Sequence, residues 1–165
     1  MTEDQVRAAI RSAINDLRLE ERPLNFELAH ERTIAQRLAV HIEPYFHDQW
    51  NVDCEYDRDG RLKKRLQGIR NRDSEKKSEV ILPDIIVHHR EGKHRTHNLL
   101  VIELKKHARE DRYDRMKLEL LTDPSGHYQY QLGLYINIDG GNFACTWYKD
   151  GHQVSTPGQA GGFLV

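Results

Sequence analysis

Val80-Ile81-Leu82-Pro83-Asp84-Ile85-Ile86-Val87-His88 and Asn98-Leu99-Leu100-Val101-Ile102-Glu103-Leu104-Lys105 are two aliphatic runs joined by a polar turn over residues 89–97. Neither run alternates with polar residues, so both predict strands covered on two faces. Each nevertheless carries one carboxylate, Asp84 in the first and Glu103 in the second. An unpaired buried carboxylate is costly, so both residues require a compensating partner. Side chains alternate along a strand, which puts Glu103 and Lys105 on one face about 7 Å apart. Folding back about Lys93 as an antiparallel hairpin brings Asp84 opposite Glu103. Two carboxylates and an ammonium then share one place, with the peptide oxygen of Leu104 between the acid and the lysine. Such a cluster suits Mg²⁺, which takes one or two carboxylate oxygens and keeps positions for water and phosphate. The competing reading is a Glu103/Lys105 ion pair at a strand end, with Asp84 hydrogen-bonded to a loop.

Pro83-Asp84 followed by Glu103-Leu104-Lys105, each set in an aliphatic strand, resembles the PD-(D/E)XK nuclease superfamily. The resemblance spans residues 25–149. It implies a restriction endonuclease-like core and a metal-dependent phosphodiester hydrolase, most simply a DNA endonuclease. It assigns Asp84, Glu103 and the Leu104 carbonyl to Mg²⁺, with Mn²⁺ able to substitute, and Lys105 to catalysis. It also implies a glutamate on the first core helix that faces the site, and His30-Glu31-Arg32 stands where that residue belongs. Glu31 is thereby a fourth catalytic and metal-site candidate. DNA is implied more strongly than RNA, and a homodimer or a targeting partner protein is compatible. The alternative is a silent module that keeps the fold to bind nucleic acid or protein.

At 165 residues, with 38% hydrophobic and 31% charged content, the chain fits one soluble domain. It divides into an N-terminal helix (1–22), a core (25–149) and a tail (151–165). The net charge of -1 supplies no overall field for nucleic acid, so any attraction is local. Cys54 and Cys145 are far apart, and the 10 histidines lack zinc-binding spacing. The apolar runs fall short of the ~20 residues that span a bilayer, and the N-terminus has no signal-peptide pattern. The expected location is the cytoplasm.

In chain order, Thr2 to Gln5 has capping-box form, and Val6, Ile10, Ala13, Ile14 and Leu17 form the stripe of a first helix. A second helix is predicted from Phe26 to Glu43, with Leu28, Ala35, Leu38, Ala39 and Ile42 inward. Glu31 lies in the middle of that stripe and Glu27 at its margin, and Pro44 ends or kinks the helix. Asn51 to Tyr56 predicts a strand. Arg58 to Lys77 holds nine Lys or Arg against three acids. This is a solvated loop or a phosphate-gripping flap that uses Arg61, Lys63, Lys64, Arg65, Arg70 and Arg72.

A helix follows over Ala108 to Thr122, with Tyr113, Met116, Leu120 and Leu121 inward, and then a strand from Tyr128 to Ile138. The strand-helix-strand spacing permits a parallel crossover. Gln131 to Tyr135 matches a Gln-x-x-x-Tyr motif by chance, since that motif belongs on a helix. A hairpin turn at Asp139 to Asn142 leads into Phe143 to Tyr148, and the tail is irregular. The class is mixed α/β, with about five strands flanked by helices.

Replacing Lys63, Lys64 and Arg65 together with Ala should weaken nucleic-acid binding and flatten its salt dependence, by about 0.9 log unit of slope per lost contact on B-DNA. A titration series across salt concentrations measures this, and an unchanged slope makes the run a solvated loop.

Overall fold

A computed structural model describes residues 1–22, 24–47, 49–56, 58–59, 62–63, 65–67, 78–90, 95–107, 112–154 and 163–164. The elements run α1 (Glu3–Glu20), α2 (Glu31–Phe46), β1 (Asn51–Cys54), four short strands, β2 (Arg58–Asp59), β3 (Leu62–Lys63), β4 (Arg65–Gln67) and β5 (Ser78–Val80), then β6 (Ile85–His88). A 3₁₀ turn (Arg95–His97) leads to β7 (Asn98–Lys106), α3 (Arg112–Thr122), β8 (Leu132–Asp139), β9 (Asn142–Lys149), β10 (His152–Val154) and β11 (Phe163–Leu164).

The main sheet has the order β1-β6-β7-β8-β9-β10, with β11 also paired to β9. Its β7/β8 pair is parallel, and every other pair in it is antiparallel. The sheet is therefore mixed, with α3 as the crossover between its two parallel strands. Even-numbered residues of β7 (Leu100, Ile102, Leu104) pack with α1 and α2, and Val101 packs with α3 on the other face. Both faces of β7 are covered, which is why its sequence does not alternate. The Thr2 capping box starts α1, as its sequence predicts.

Several boundaries differ from the sequence reading. The second helix begins at Glu31, five residues late, because the Asn25 side chain accepts from the Glu27 and Leu28 amides and holds a local turn instead. Leu28 is accordingly 80% exposed and not part of the stripe. The helix also runs through Pro44 to Phe46. Proline there removes only the bond to the Val40 carbonyl, and Val40 lies on the exposed side. The strand predicted from Val80 is divided. Val80 pairs with Arg65 in β5, and β6 starts only after Pro83, which has no amide to donate.

The strand predicted from Tyr128 begins at Leu132. Gln129 has φ +50, and this break turns Tyr128 and Tyr130 into the α3-side core. The tail contributes β10 and β11, which raises the main sheet from the predicted five strands to seven. Asp150 and Gly151, both with positive φ, form the two-residue turn that returns the chain onto β9. Within the basic segment, β2 pairs β3 and β4 pairs β5. Arg61, Lys64, Arg70 and Arg72 lie outside the described residues, and Lys63 and Arg65 are described in backbone only.

The largest difference concerns α3. It is described from Arg112, the predicted start at Ala108 lying outside the described residues, and its inward face is Asp114, Lys117, Leu118 and Leu121, whereas Tyr113, Met116 and Leu120 are only partly buried. The helix lies close to β8 because Gly133 has no side chain. A Cβ there would stand 3.0 Å from Thr122 Cγ2 and 3.1 Å from Tyr148 Cβ. Gly133→Ala should therefore push α3 outward and cost about 1–3 kcal/mol in urea denaturation. An unchanged midpoint would contradict this packing.

Candidate functional site

β6 begins at Ile85, which pairs with Ile102, so one further step of the register sets Asp84 against Glu103. Beyond that point β7 continues to Lys106 with no β6 residue beside it. Two carboxylates cap the exposed edge. The Leu104 amide donates to Asp84 Oδ2 at 2.8 Å, and the Lys106 amide donates to Glu31 Oε1 at 3.0 Å. A strand residue presents its N–H and C=O to the same neighbour. The Leu104 carbonyl therefore faces the same edge as Asp84 and Glu31.

Glu31 reaches this edge as the first residue of α2, at the helix's positive end and not in the middle of its apolar stripe. Lys106 pins the preceding turn, donating through Nζ to the carbonyls of Glu27 and Ala29 at 2.7 Å each. Glu27, the weaker sequence candidate, thus takes part through its backbone.

The α3 side closes the site with two residues that the sequence analysis did not single out. Lys117 Nζ lies 2.7 Å from Glu103 Oε2 and 2.6 Å from Asp114 Oδ1. Lys105 Nζ lies 3.4 Å from Asp114 Oδ2 and 3.3 Å from Glu31 Oε2. Glu103 (2% exposed), Asp114 (3%) and Lys117 are all buried. The Glu103/Lys105 ion pair of the competing reading is replaced by a chain of alternating acids and ammonium groups: Glu103, Lys117, Asp114, Lys105, Glu31. The missed signal was the i, i+3, i+4, i+7 spacing of residues 114, 117, 118 and 121, a core face in which two positions are charged.

Four carboxyl groups (Glu31, Asp84, Glu103, Asp114) thus meet two ammonium groups. Burial pushes Glu103 up to about 8, against the pull of Lys117, and Asp84 and Asp114 push it the same way. Burial also raises Asp84, with the Leu104 amide and the two lysines partly offsetting it. Burial alone would lower the two lysines, but Asp114 and Glu31 around Lys105, and Glu103 and Asp114 around Lys117, outweigh it and hold both above the usual lysine value.

An open groove of about 780 Å³ borders the cluster, lined among others by His30, Glu31, Arg32, Glu55, Asp84 and His107. Two of its residues, Glu55 (φ +47) and His107 (φ +53), hold left-handed backbone that non-glycine residues rarely adopt. Arg32 Nε pairs with Glu55 Oε1 at 2.6 Å, and His107 Nδ1 lies 3.1 Å from Asp139 Oδ1. Solvent reaches Asp84 and Glu31 through this groove.

The donor set is oxygen only, the set that Mg²⁺ and Mn²⁺ prefer. Glu103 Oε1 is buried and has no hydrogen-bond partner among the described residues, so it is an acceptor that a cation would satisfy. Among the described residues, no three His, Cys, Asp or Glu side chains close on a single point. The spaces between carboxylates are bridged by Lys105 and Lys117 instead. No described helix is long and apolar enough to cross a membrane. Comparison with protein-family models, curated proteins and solved structures finds no match to this chain.

The raised Glu103 has a consequence for stability. The carboxyl keeps its proton to about 8 in the fold and to about 4.5 when unfolded, so its contribution is complete below 4.5 and is lost as the pH rises to 8. In chelator, wild type should lose stability relative to Glu103→Gln across this window, by on the order of a few kcal/mol at its top. Urea denaturation at both ends measures the difference, and a constant difference would contradict the burial argument.

Proposed function

We propose that this protein is a metal-dependent nuclease with a restriction endonuclease-like core, acting on phosphodiester bonds of DNA in the cytoplasm, alone, as a homodimer or with a targeting partner. One observation carries the reading. Asp84 falls opposite Glu103 in the β6/β7 register, and the Leu104 amide donates to it, so the acids of two strands meet beside Lys105. Glu31 from α2 completes the set at the same edge.

Asp84, Glu103, Glu31 and the Leu104 carbonyl are the groups that would hold Mg²⁺ or Mn²⁺. When bound, such an ion supplies Lewis-acid polarisation of a phosphate and a more acidic water. Lys105 remains an ammonium because the carboxylates on either side hold its proton. Its part is therefore to stabilise charge building on the phosphoryl oxygens, not to abstract a proton. Glu31 and Asp114 hold its Nζ in place. The adjoining groove gives the substrate backbone access to Asp84, with Arg32 and His107 as donors on its walls.

A second reading has an observation of its own. Lys105 and Lys117 bridge the carboxylates without any metal, as a purely structural charge network would. In that case the chain is a silent module that binds nucleic acid or protein.

Incubation with supercoiled, linear, branched and single-stranded DNA, and with RNA, in Mg²⁺ or Mn²⁺ against EDTA, separates the two. Cation-dependent cleavage is expected, with Asp84→Asn and Glu103→Gln inactive. Lys105→Ala should cut on the order of a hundredfold more slowly with near-normal substrate binding. Lys105→Arg should rescue poorly, since a planar guanidinium does not replace a compact ammonium. Wild-type rates in Asp84→Asn or Glu103→Gln, or absence of cleavage on every substrate, would overturn the assignment.

A further inference from the structure

Lys117 is a buried cation that belongs to none of the residues in the strand motif. It is 8% exposed and lies between two carboxylates that are themselves more than nine-tenths buried. Its contacts divide Glu103 in two. Oε2 takes the ammonium at 2.7 Å, while Oε1 has no hydrogen-bond partner among the described residues. Asp114 performs a related division, giving Oδ1 to Lys117 and Oδ2 to Lys105. One helix therefore positions both the acid and the lysine of β7.

We propose that Lys117 is a resident cation of the site, which fixes one Glu103 oxygen, leaves the other presented to a divalent metal, and opposes that metal through its own charge. Lys117 is a positioning residue in this arrangement, and the inference rests on the metal-site reading given above. Its consequences differ in sign from those of a ligand. Removing a ligand weakens metal binding and turnover together. Removing Lys117 leaves Glu103 buried without an ammonium and Asp114 with Lys105 alone, so a divalent ion is drawn in more strongly, while the lost orientation of Glu103 lowers turnover.

The test is calorimetric titration of the whole chain with Mn²⁺, comparing wild type with Lys117→Met, Lys117→Arg and Glu103→Gln, alongside melting temperatures in EDTA and in Mn²⁺. Lys117→Met should bind Mn²⁺ about tenfold or more tightly than wild type, melt lower in EDTA and gain more from Mn²⁺. Lys117→Arg, which keeps the charge, should stay near wild-type affinity, and Glu103→Gln should bind weakly or not at all. If Lys117→Met does not fold in EDTA, Lys117→Gln, smaller and able to hydrogen-bond, takes its place.

Equal or weaker Mn²⁺ binding by the folded neutral variant overturns the inference, and the nuclease reading survives if wild type still binds and cleaves. Binding by the neutral variant but not by wild type overturns both, since the free Glu103 oxygen is then not presented to a metal while Lys117 is in place. No binding by either removes both.

Discussion

A carboxylate inside a sheet needs a cation, and in this protein the cation comes from the helix that crosses over the sheet. Glu103 sits near the end of the central strand β7, and Lys117 on α3 is the group that meets it. That contact depends on the crossover itself. The chain leaves β7 at its carboxyl end, forms α3 and returns to a parallel neighbour, so the helix lies over the strand that carries the acid. The carboxyl ends of parallel strands are the usual place for ligand sites in α/β sheets. Gly133 then sets how near the helix comes, and so whether the Lys117 ammonium reaches Glu103.

The other half of the site follows from a mismatch in strand length. β7 is nine residues and β6 is four, so the end of β7 has amides with no strand partner on that side. Asp84 and Glu31 supply acceptors for two of them, which fixes both carboxyls by backbone hydrogen bonds before any ligand is considered. A strand overhang capped by acids and a helix bearing lysines together concentrate more carboxyl than ammonium groups in a partly dry place. The upward shifts of Glu103 and Asp84 express that imbalance, and a divalent cation would relieve it.

The β6/β7 hairpin, its register at Asp84 and Glu103, and the parallel return to β8 were legible in the sequence, because unbroken aliphatic runs and connection lengths leave few arrangements. Glu31 was legible as a member of this cluster for the wrong geometric reason. Helical spacing assigned it to a stripe, whereas the Asn25 turn delays the helix and makes Glu31 its first residue. Asp114 and Lys117 were not legible from an apolar pattern, because a charged pair that satisfies itself across a core face is scored as surface. The strand boundaries at Pro83 and Gln129 turn on a missing amide and a left-handed residue, which hydrophobic periodicity does not register. The Asp150-Gly151 hairpin signal was present, but its Gly151 opened the segment set aside as an irregular tail.

Proton release on metal binding tests the site most directly. Burial raises Glu103 against the pull of Lys117, so a metal that takes its free oxygen is linked to loss of a proton from that carboxyl. Titration of the wild-type chain with Mn²⁺ at pH 7, in buffers of different ionisation enthalpy, reads the number of protons released. The site described here predicts release on binding that disappears in Glu103→Gln. Binding without proton release, or no binding in any buffer, would contradict it.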